Sequence, residues 1–382
     1  MVMLFLDIEG AFPNAATDCL LHNLWKRQIL EEYVLFITRM LKDHHTKLKF
    51  DDYKSDWVNI DNGIGQGDPL SMILYLFYNA DLLDVVTSKS QTAVAYVDDA
   101  NLYVEGKTYE EAYKSLGDML LKQGGARDWT HLHNSRFEKS KFAVVCFLRR
   151  RVPDPLCHGK TIPEPRPAFI YEGVHIEPQY SHKFLGVHFD QELRWSVQVE
   201  NTIAKAAKWT LLFRRLAKPS TGVHTLFMRQ LYTTVAIPKI MYAVDVWFIP
   251  LQWKEGQQKT SGSVGLVHKL TSIQHIATLA ITGAMHTTAS DTLEAHADIC
   301  PIELLLLDAC NHAAYRLASL PQMHPLSRPV KVCACRLVKR HPSPLHILLH
   351  TLGIHPEKFE TVTPALQCPN MPVTFHTEIA CT

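Results

Sequence analysis

Two acidic segments of this 382-residue chain have the residue types of a metal-dependent phosphoryl-transfer site. Asp7 ends an apolar run, and Asp98 and Asp99 lie between two apolar runs. A carboxylate at the end of a buried strand is costly unless a divalent cation offsets its desolvation. Neighbouring acids at a hairpin tip repel each other unless a cation lies between them. Asp7 and Asp98 could therefore hold two Mg²⁺ ions roughly 3.5–4 Å apart, although each acid alone could be a solvated turn residue.

A glycine-rich segment precedes the second acidic pair. Its core is Gly65-Gln66-Gly67, whose glycines would let the backbone approach a base pair or sugar closely. Asp68 and Pro69 follow as a good N-cap and first helical residue. The helix they begin is apolar nearly all round, which predicts that it lies inside the protein. The segment could also be a loop that merely starts this helix.

The elements that must position these residues follow from hydrophobic periodicity and turn residues. Short strands and an acidic hairpin alternate with helices, which indicates an α+β fold and not a doubly wound parallel sheet. Thr108 and Glu111 form a capping box for one of the helices. The sequence predicts strands at 2–8, 91–104, 137–148 and 181–190, a polar hairpin at 44–60, helices at 14–30, 196–247 and 266–318, a proline-rich loop or insertion at 151–178 and a linker at 254–264.

Charge is distributed unevenly along the chain although its net charge is only +1. Residues 1–105 hold 16 Asp and Glu against 8 Lys and Arg. Residues 201–244 hold seven basic residues and no acid. An acidic centre beside a basic stretch suits an enzyme that binds metal in one place and phosphate backbones in another. The basic stretch alone could instead be a solvated helix face.

The composition, with 47% hydrophobic and 20% charged residues, is that of an ordinary globular protein. No apolar run approaches the ~18 residues of a membrane-spanning helix. The apolar start lacks the basic region of a signal peptide and is interpreted as a strand. We therefore expect an intracellular protein without a membrane partner.

Five segments in order resemble the motifs of reverse transcriptases, most closely those of non-LTR (LINE-like) retrotransposons of fungal type. The resemblance covers about residues 2–310. Residues 5–12 (FLDIEGAF) resemble motif A, 63–71 (GIGQGDPLS) motif B, 95–103 (AYVDDANLY) motif C, 134–141 (NSRFEKSK) the motif D loop and 184–186 (FLG) the primer-grip hairpin, motif E.

The resemblance implies the right-hand architecture of a polymerase: a palm with an antiparallel sheet and helices, then an α-helical thumb and a helical connection. The implied regions are a palm core at 1–150, a proline-rich insertion and primer-grip hairpin at 151–195, a basic thumb at 196–250, a connection at 251–330 and a loosely ordered tail at 331–382.

The resemblance also assigns roles to residues. Asp7 and Asp98, with the Ile8 carbonyl, would bind two Mg²⁺ ions (Mn²⁺ as a substitute), and Asp99 would complete the acidic triad. Lys141 would protonate the pyrophosphate, with Lys139 as a rival and a plain surface role equally open. Phe12 would exclude a 2′-hydroxyl, or serve only the core. Gln66 and Gly67 would contact the incoming nucleotide and template base, Phe184, Leu185 and Gly186 would support the primer end, and Lys205, Lys208, Arg214 and Arg215 would face the duplex backbone.

The implied partners are an RNA template, a DNA primer and deoxynucleoside triphosphates, and the implied location of an active element is the nucleus. The chain starts six residues before Asp7, where the family carries its fingers, so we expect an N-terminally truncated module. A catalytically silent relic that only binds nucleic acid is the alternative. A structural or interaction protein without nucleotide chemistry is a third interpretation. It does not explain why Asp7, Asp98 and Asp99 occur together with the other motifs.

Overall fold

The structure is a computed structural model that describes residues 1–60, 62–217, 222–252, 261–336, 338 and 342–361. It divides the chain into two compact units, Met1–Val197 and Gln198–Thr382. None of the helices in the described residues combines the length and the apolar composition needed to cross a membrane.

The first unit contains the strands and five helices. Its strands are β1 (Val2–Leu6), β2 (Ile8–Glu9), β3 (His44–Thr46), β4 (Lys49–Phe50), β5 (Tyr53–Lys54), β6 (Val58–Ile60), β7 (Gln91–Tyr96), β8 (Asp99–Val104), β9 (Arg136–Phe137), β10 (Ala143–Cys146), β11 (Arg151–Pro153), β12 (Thr161–Pro163), β13 (Phe169–Tyr171), β14 (Val174–Ile176), β15 (Ser181–Phe184) and β16 (Val187–Asp190). Its helices are α1 (Thr17–Lys26), α2 (Glu31–Leu41), α3 (Pro69–Asn79), α4 (Tyr109–Leu121) and α5 (Ala126–Leu132), with 3-10 turns at Ala80–Val85 and Lys139–Lys141.

A four-stranded antiparallel sheet in the order β10-β1-β8-β7 is the centre of the first unit. The central strand β1 is apolar on both faces because both are covered. Leu4 and Leu6 lie in the main core, which the helices share. Phe5 points to the other face and packs with Ala143 and Val145 of β10. Antiparallel sheet combined with helices agrees with the predicted α+β class.

Local signals in the sequence place several elements correctly. The Asp68 carboxylate accepts a hydrogen bond from the Leu70 N–H at 2.9 Å, so α3 begins as predicted. The Thr108 hydroxyl accepts one from the Glu111 N–H at 3.2 Å and starts α4. The polar hairpin predicted at 44–60 is present, with β3 paired to β6 and β4 to β5. Side-chain caps of this kind depend only on neighbours in sequence, which is why they can be predicted.

Two predictions about the first unit need correction. Residues 151–178 are not simply a loop, because β11–β12 and β13–β14 form two hairpins and Phe169 and Tyr171 enter the main core. Helix α3 is not enclosed, because Met72, Ile73 and Leu76 are exposed. Its other side, with Leu74 and its neighbours, is buried, and only that side packs into the core.

The regular elements described in the second unit are helices, as predicted, apart from an isolated antiparallel bridge between Gln252 and Ser261. Its helices are α6 (Ser196–Leu216, which begins at the end of the first unit), α7 (Thr225–Leu231), α8 (Ile237–Ile240), α9 (Val244–Trp247), α10 (Val264–Thr282), α11 (Ser290–Ala297), α12 (Ile302–Ala318), α13 (Ser327–Cys335) and α14 (Pro344–Thr351), with a π-helical turn at Tyr232–Ala236 and a 3-10 turn at Pro356–Lys358. One of its buried clusters joins α6, α7, the π-helical turn, α10 and α11 through Phe213, Met228, Tyr232 and Ile281.

The predicted tail and linker are only partly described. Residues 331–382 were expected to be loosely ordered, but the end of α13 and all of α14 lie within this range. Ordered helix therefore replaces the expected weak order in that part of the tail. Residues 253–260 of the linker and 362–382 of the tail lie outside the described residues.

Candidate active site

The three acids singled out in the sequence lie at one end of the central sheet. Leu6, the last residue of β1, is paired with Ala100 of β8, so Asp7 follows beside the start of β8. Tyr96 is paired with Asp99, which leaves Val97 and Asp98 as the two-residue turn between β7 and β8. The register thus brings Asp7, Asp98 and Asp99 to the same end of the strands, and we call this group of three acids the acidic edge.

The electrostatics of this edge show that the acids act on one another. Partial burial raises the pKa of Asp99, and the negative charges of Asp98 and Asp7 raise it further. The pKa of Tyr75 is raised by burial, then by Tyr78 and by the charge of Asp98. The Tyr75 hydroxyl is buried without a hydrogen-bond partner among the described residues. The site therefore concentrates negative charge that a bound cation would neutralise.

The structure distinguishes the two lysines that the sequence left open. Lys141 Nζ donates to Asp7 Oδ2 at 3.0 Å, whereas Lys139 pairs with Glu172. The hydrogen bond to Asp7, together with that residue's charge, raises the pKa of Lys141. Both lysines belong to the 3-10 turn that follows Glu138, whose N–H donates to the Asp7 carbonyl at 3.0 Å. Lys141, not Lys139, is therefore the lysine at the acidic edge.

Phe12 lies in a loop that the glycine-rich segment holds in place. The Ile64 N–H donates to the Phe12 carbonyl at 2.9 Å, and the Gly63 N–H donates to the Ala15 carbonyl at 2.8 Å. Gly63 has φ +106°, and a Cβ there would lie 2.7 Å from the Pro13 carbonyl oxygen, so only glycine fits. The partly buried Phe12 ring lies 5.1 Å from the Tyr75 ring, centroid to centroid.

Tyr75 is a site residue that sequence reasoning missed. It joins Phe12, by ring contact, to Asp98, by electrostatic interaction. In the sequence it is one of several apolar or aromatic residues of α3, and no local signal separates it from them. Phe12 therefore packs beside the acidic edge and not in a remote part of the core.

The remaining predicted contacts around the acids are placed but not brought into a cluster. Ile8 is buried, and its backbone is paired with Phe137 in β2–β9. Gln66 and Gly67 are exposed in the turn before α3, where Gly67 has φ +95° and open space around it. Their roles as metal and nucleotide contacts stay predictions.

The predicted primer-grip segment forms the tip of the β15–β16 hairpin. Phe184 is paired with Val187, so Leu185 and Gly186 make the turn, with φ +46° and +83°. Positive φ at both positions is the geometry of a type I′ hairpin turn. The Phe184 ring lies 6.0 Å from the Phe5 ring, which anchors the hairpin against β1 on the face away from the main core.

The predicted thumb residues lie on the exposed part of α6. Lys205, Lys208, Arg214 and Arg215 are all exposed, whereas Ala206, Thr210 and Phe213 are buried. The four cations make no ion pair with any described residue. Of the other basic residues in 201–244, Arg229 pairs with Asp298 and Lys239 lies 5.0 Å from the centre of the Trp209 ring, while Lys218 lies outside the described residues.

A metal centre made of side chains alone is absent from the part of the chain that the structure describes. There, no three His, Cys, Asp or Glu residues are grouped so that they could hold a metal ion. A site built from two aspartates and a backbone carbonyl does not need three such side chains. The fit of the acidic edge to a cation therefore depends on its charge, described above.

Comparisons with known proteins connect the chain to one family. Residues 1–189 match the family model described as "Reverse transcriptase (RNA-dependent DNA polymerase)". No curated protein sequence matches.

Two solved telomerase structures show some similarity to the chain. The structure of telomerase from Candida albicans with a TWJ fragment of telomeric RNA is 12% identical, with a TM-score of 0.33, over 82% of this chain and 47% of that one. The corresponding structure from Candida tropicalis is 10% identical, with a TM-score of 0.38, over 86% and 48%. The chain spans about half the length of each of these telomerase chains.

Proposed function

Residues 1–189 carry a reverse transcriptase domain, and from this premise we propose that the chain catalyses RNA-directed DNA synthesis at the acidic edge. The observation that carries the proposal is the convergence of Asp7, Asp98 and Asp99, with Lys141 on Asp7 and Phe12 on Tyr75. Motif A thus contributes Asp7 and Phe12, motif C contributes Asp98 and Asp99, and motif D contributes Lys141. On the motif resemblance, the element is a non-LTR retrotransposon whose protein acts in the nucleus.

The acidic edge fits divalent metal. Its donors are hard carboxylate oxygens, which suit Mg²⁺, and burial, followed by the charges of Asp98 and Asp7, raises the pKa of Asp99. Asp7 and Asp98, with the Ile8 carbonyl, would hold the two ions. When bound, the ions supply activation of the primer hydroxyl and charge stabilisation at the leaving oxygen.

The protein's own side chains would position the substrate and move a proton. Lys141, kept protonated by Asp7, holds a proton next to the acids and can give it to the departing pyrophosphate. The Phe12 ring, backed by Tyr75, would lie under the sugar and exclude a 2′-hydroxyl. Gln66 and Gly67 would meet the nucleotide and template base, and the β15–β16 tip would support the primer end.

The test is primer extension by the full chain on an RNA template with a DNA primer, deoxynucleoside triphosphates and Mg²⁺. We expect Asp98→Asn to reduce the rate at least roughly a hundredfold, because several kcal/mol of charge stabilisation is lost. Asp118→Asn on α4, an exposed acid away from the sheet edge, is the matched control and should extend normally. Extension that persists in Asp98→Asn would contradict the assignment of this residue.

Metal binding is a second readout that does not depend on turnover. Titration of the full chain with Mn²⁺, followed by electron paramagnetic resonance, should show binding that Asp7→Asn and Asp98→Asn each weaken and Asp118→Asn does not. A chain that neither binds Mn²⁺ nor extends a primer would not be a polymerase, and the proposal would be wrong.

A further inference from the structure

A basic cleft lies on the first unit beside the 3-10 turn that contains Lys141. It has a volume of about 490 Å³. Helix α5, strand β9, the 3-10 turn and the β13–β14 hairpin form it, and Arg127, His131, Asn134, Arg136, Lys139 and Glu172 are among its lining residues. We propose that this cleft binds the phosphodiester backbone of a single-stranded nucleic acid.

The charges of the cleft favour an anionic ligand. Three cations, Arg127, Arg136 and Lys139, face a single carboxylate, that of Glu172. Glu172 pairs with Lys139 and, at 3.9 Å, with Arg127. The exposed Arg136 side chain makes no ion pair or hydrogen bond with any residue that the structure describes. The Arg136 guanidinium is therefore available to a ligand in this basic cleft, and a guanidinium can donate two parallel hydrogen bonds to the oxygens of one phosphate.

Glu172 holds two of the cations in the way that a phosphate would. Its Oε1 faces Arg127 and its Oε2 faces Lys139, so the two oxygens of one anion join two cations. The β13–β14 turn places this carboxylate, with Glu172 at φ +46° and Gly173 at φ +79°. Lys139 is further oriented by the Tyr171 ring, whose centre lies 5.6 Å from Nζ. The cleft thus already arranges its cations around an anion, and a ligand phosphate would compete with Glu172 for them.

The other lining residues favour a nucleotide chain over a bare ion. The exposed Asn134 adds a neutral amide, which can hydrogen-bond to sugars and base edges. Thr130 and Ser135 are buried and donate to the carbonyls of Arg127 and His133, which fixes the wall of the cleft. The volume lies within the ~300–1,000 Å³ of sites that hold small organic ligands. Lys139 of the cleft and Lys141, which pairs with Asp7, belong to the same 3-10 turn. The choice of nucleic acid over other polyanions rests on the proposed function.

The test measures binding of a labelled single-stranded oligonucleotide by fluorescence anisotropy. It uses the full chain in EDTA, with Lys205, Lys208, Arg214 and Arg215 changed to Gln so that α6 contributes little. Arg136→Gln and Lys139→Gln should each weaken binding several-fold. Each should also lower the slope of log affinity against log salt concentration by about 0.7, the value for one phosphate contact on a single strand. Lys114→Gln, an exposed lysine of α4 outside the cleft, is the matched control and should bind normally.

Glu172→Gln gives the opposite prediction and separates a binding role from a structural one. Removal of the competing carboxylate should free Lys139 and Arg127 and strengthen oligonucleotide binding several-fold. If Glu172 only stabilised the hairpin, the substitution would leave affinity unchanged or weaken it, and that result would overturn the proposal. Thermal unfolding of each variant checks that the fold is retained.

A competition experiment identifies the source of the phosphate. Unlabelled oligonucleotide should displace the label at far lower concentration than a deoxynucleoside triphosphate or inorganic triphosphate. If the triphosphates compete equally well, the cleft is a nucleotide site and the phosphodiester assignment is wrong. Asp98→Asn should leave binding in EDTA unchanged. If the cleft variants bind as Lys114→Gln does, the proposed binding role of the cleft is wrong, whatever the polymerase activity. If the chain does not extend a primer but the cleft still binds the oligonucleotide, only the proposed polymerase activity is wrong.

Discussion

Phe12 shows how one ring can be both a core residue and a candidate selector of the sugar. The sequence left these roles open, and the structure shows the partly buried ring packed on Tyr75 beside the acidic edge, a position that is compatible with both roles. A side chain braced in this way cannot move aside for an added hydroxyl without disturbing α3. The bracing by Tyr75 could not be predicted, since it depends on a contact between distant segments.

We predict that Phe12→Val relaxes discrimination against ribonucleotides. Loss of the ring opens space under the sugar, so the ratio of ribonucleotide to deoxyribonucleotide incorporation should rise roughly tenfold or more, the usual range for a pocket that loses a few carbons. Single-nucleotide extension by the full chain measures this ratio. Phe36→Val, which removes a ring that is 60% exposed on α2, is the control. If incorporation of ribonucleotides and of deoxyribonucleotides falls equally, Phe12 has only a structural role in the core.

His133 is a buried titratable residue that makes the first unit sensitive to acid. Its Nε2 lies 3.3 Å from Asn23 Nδ2, and its Nδ1 lies 3.1 Å from the Trp129 carbonyl oxygen. The neutral ring satisfies both contacts by accepting from Asn23 and donating to Trp129. Burial lowers the pKa of His133 below its ordinary value of 6.5, against the opposing effect of the Trp129 carbonyl. Protonation would remove the acceptor for Asn23.

We predict that stability falls as the pH drops below about 6.5 and that His133 causes part of the fall. The unfolded chain takes up the proton at the ordinary pKa of 6.5, whereas the folded chain does so only at lower pH, so acid favours unfolding. Urea unfolding at pH 7 and pH 5 should show a smaller loss for His133→Gln than for the native chain. His131→Gln, an exposed neighbour on α5, should keep the native loss. An unchanged loss in His133→Gln would contradict the assignment.

Helix α6 carries its basic residues around an exposed arc and not along one line. At 100° per residue, Lys208 and Arg215 lie on the same line, opposite the buried Phe213. Lys205 and Arg214 lie on the two flanks of that line. The single basic face expected from the sequence is therefore broader than a stripe. An arc of this width suits a curved, charged surface such as a duplex backbone.

We predict that reversing these four residues to Glu removes most binding of an RNA–DNA hybrid. Each lost phosphate contact should also reduce the steepness of log affinity against log salt concentration, by about 0.9 per contact on the value for B-DNA. Anisotropy at several salt concentrations measures both effects. Reversal of Lys89, Lys107, Lys114 and Lys122, four exposed lysines of the first unit, is the control matched in charge. If both sets of substitutions weaken hybrid binding equally, the basic residues of α6 are a solvated helix face and have no specific binding role.

Elements whose signals are local were predictable, and those that depend on packing were not. The caps of α3 and α4 and the β7–β8 hairpin follow from neighbouring residues. The hairpins within 151–178 were missed because prolines usually mark loops. Here Pro153 pairs with Thr161 and Pro163 pairs with Arg151, each at the end of a short strand in a two-stranded ribbon, where a proline is tolerated. The choice between Lys139 and Lys141 likewise needed the positions of Asp7 and Glu172, which lie far away in the sequence.

At the scale of the molecule, the first unit has a core of its own. The main cluster draws only on residues from Val2 to Ile176, and the second face of β1 is closed by Phe184. One buried cluster of the second unit draws on residues from Phe213 to Ile299. Separate cores are what allow parts of a chain to fold independently.

We predict that a fragment of residues 1–195 folds without the second unit. It retains every strand of the chain's described sheets and ends before α6 begins. Urea unfolding followed by circular dichroism should show one cooperative transition. A fragment ending at residue 140 is the control: it lacks β10, so it should unfold without cooperativity. A non-cooperative 1–195 fragment would show that the second unit is needed.

The central position of β1 has a consequence for the order of events during synthesis. This strand is made before either of its partners, because β8 ends at Val104 and β10 at Cys146. At a synthesis rate of roughly 5–20 residues per second, β8 follows β1 on the order of ten seconds later, and β10 follows later still. For that time an apolar strand has two open edges, which are templates for pairing with other chains. Yield on expression should therefore depend on chaperones that hold nascent chains, and slower translation would prolong the exposure.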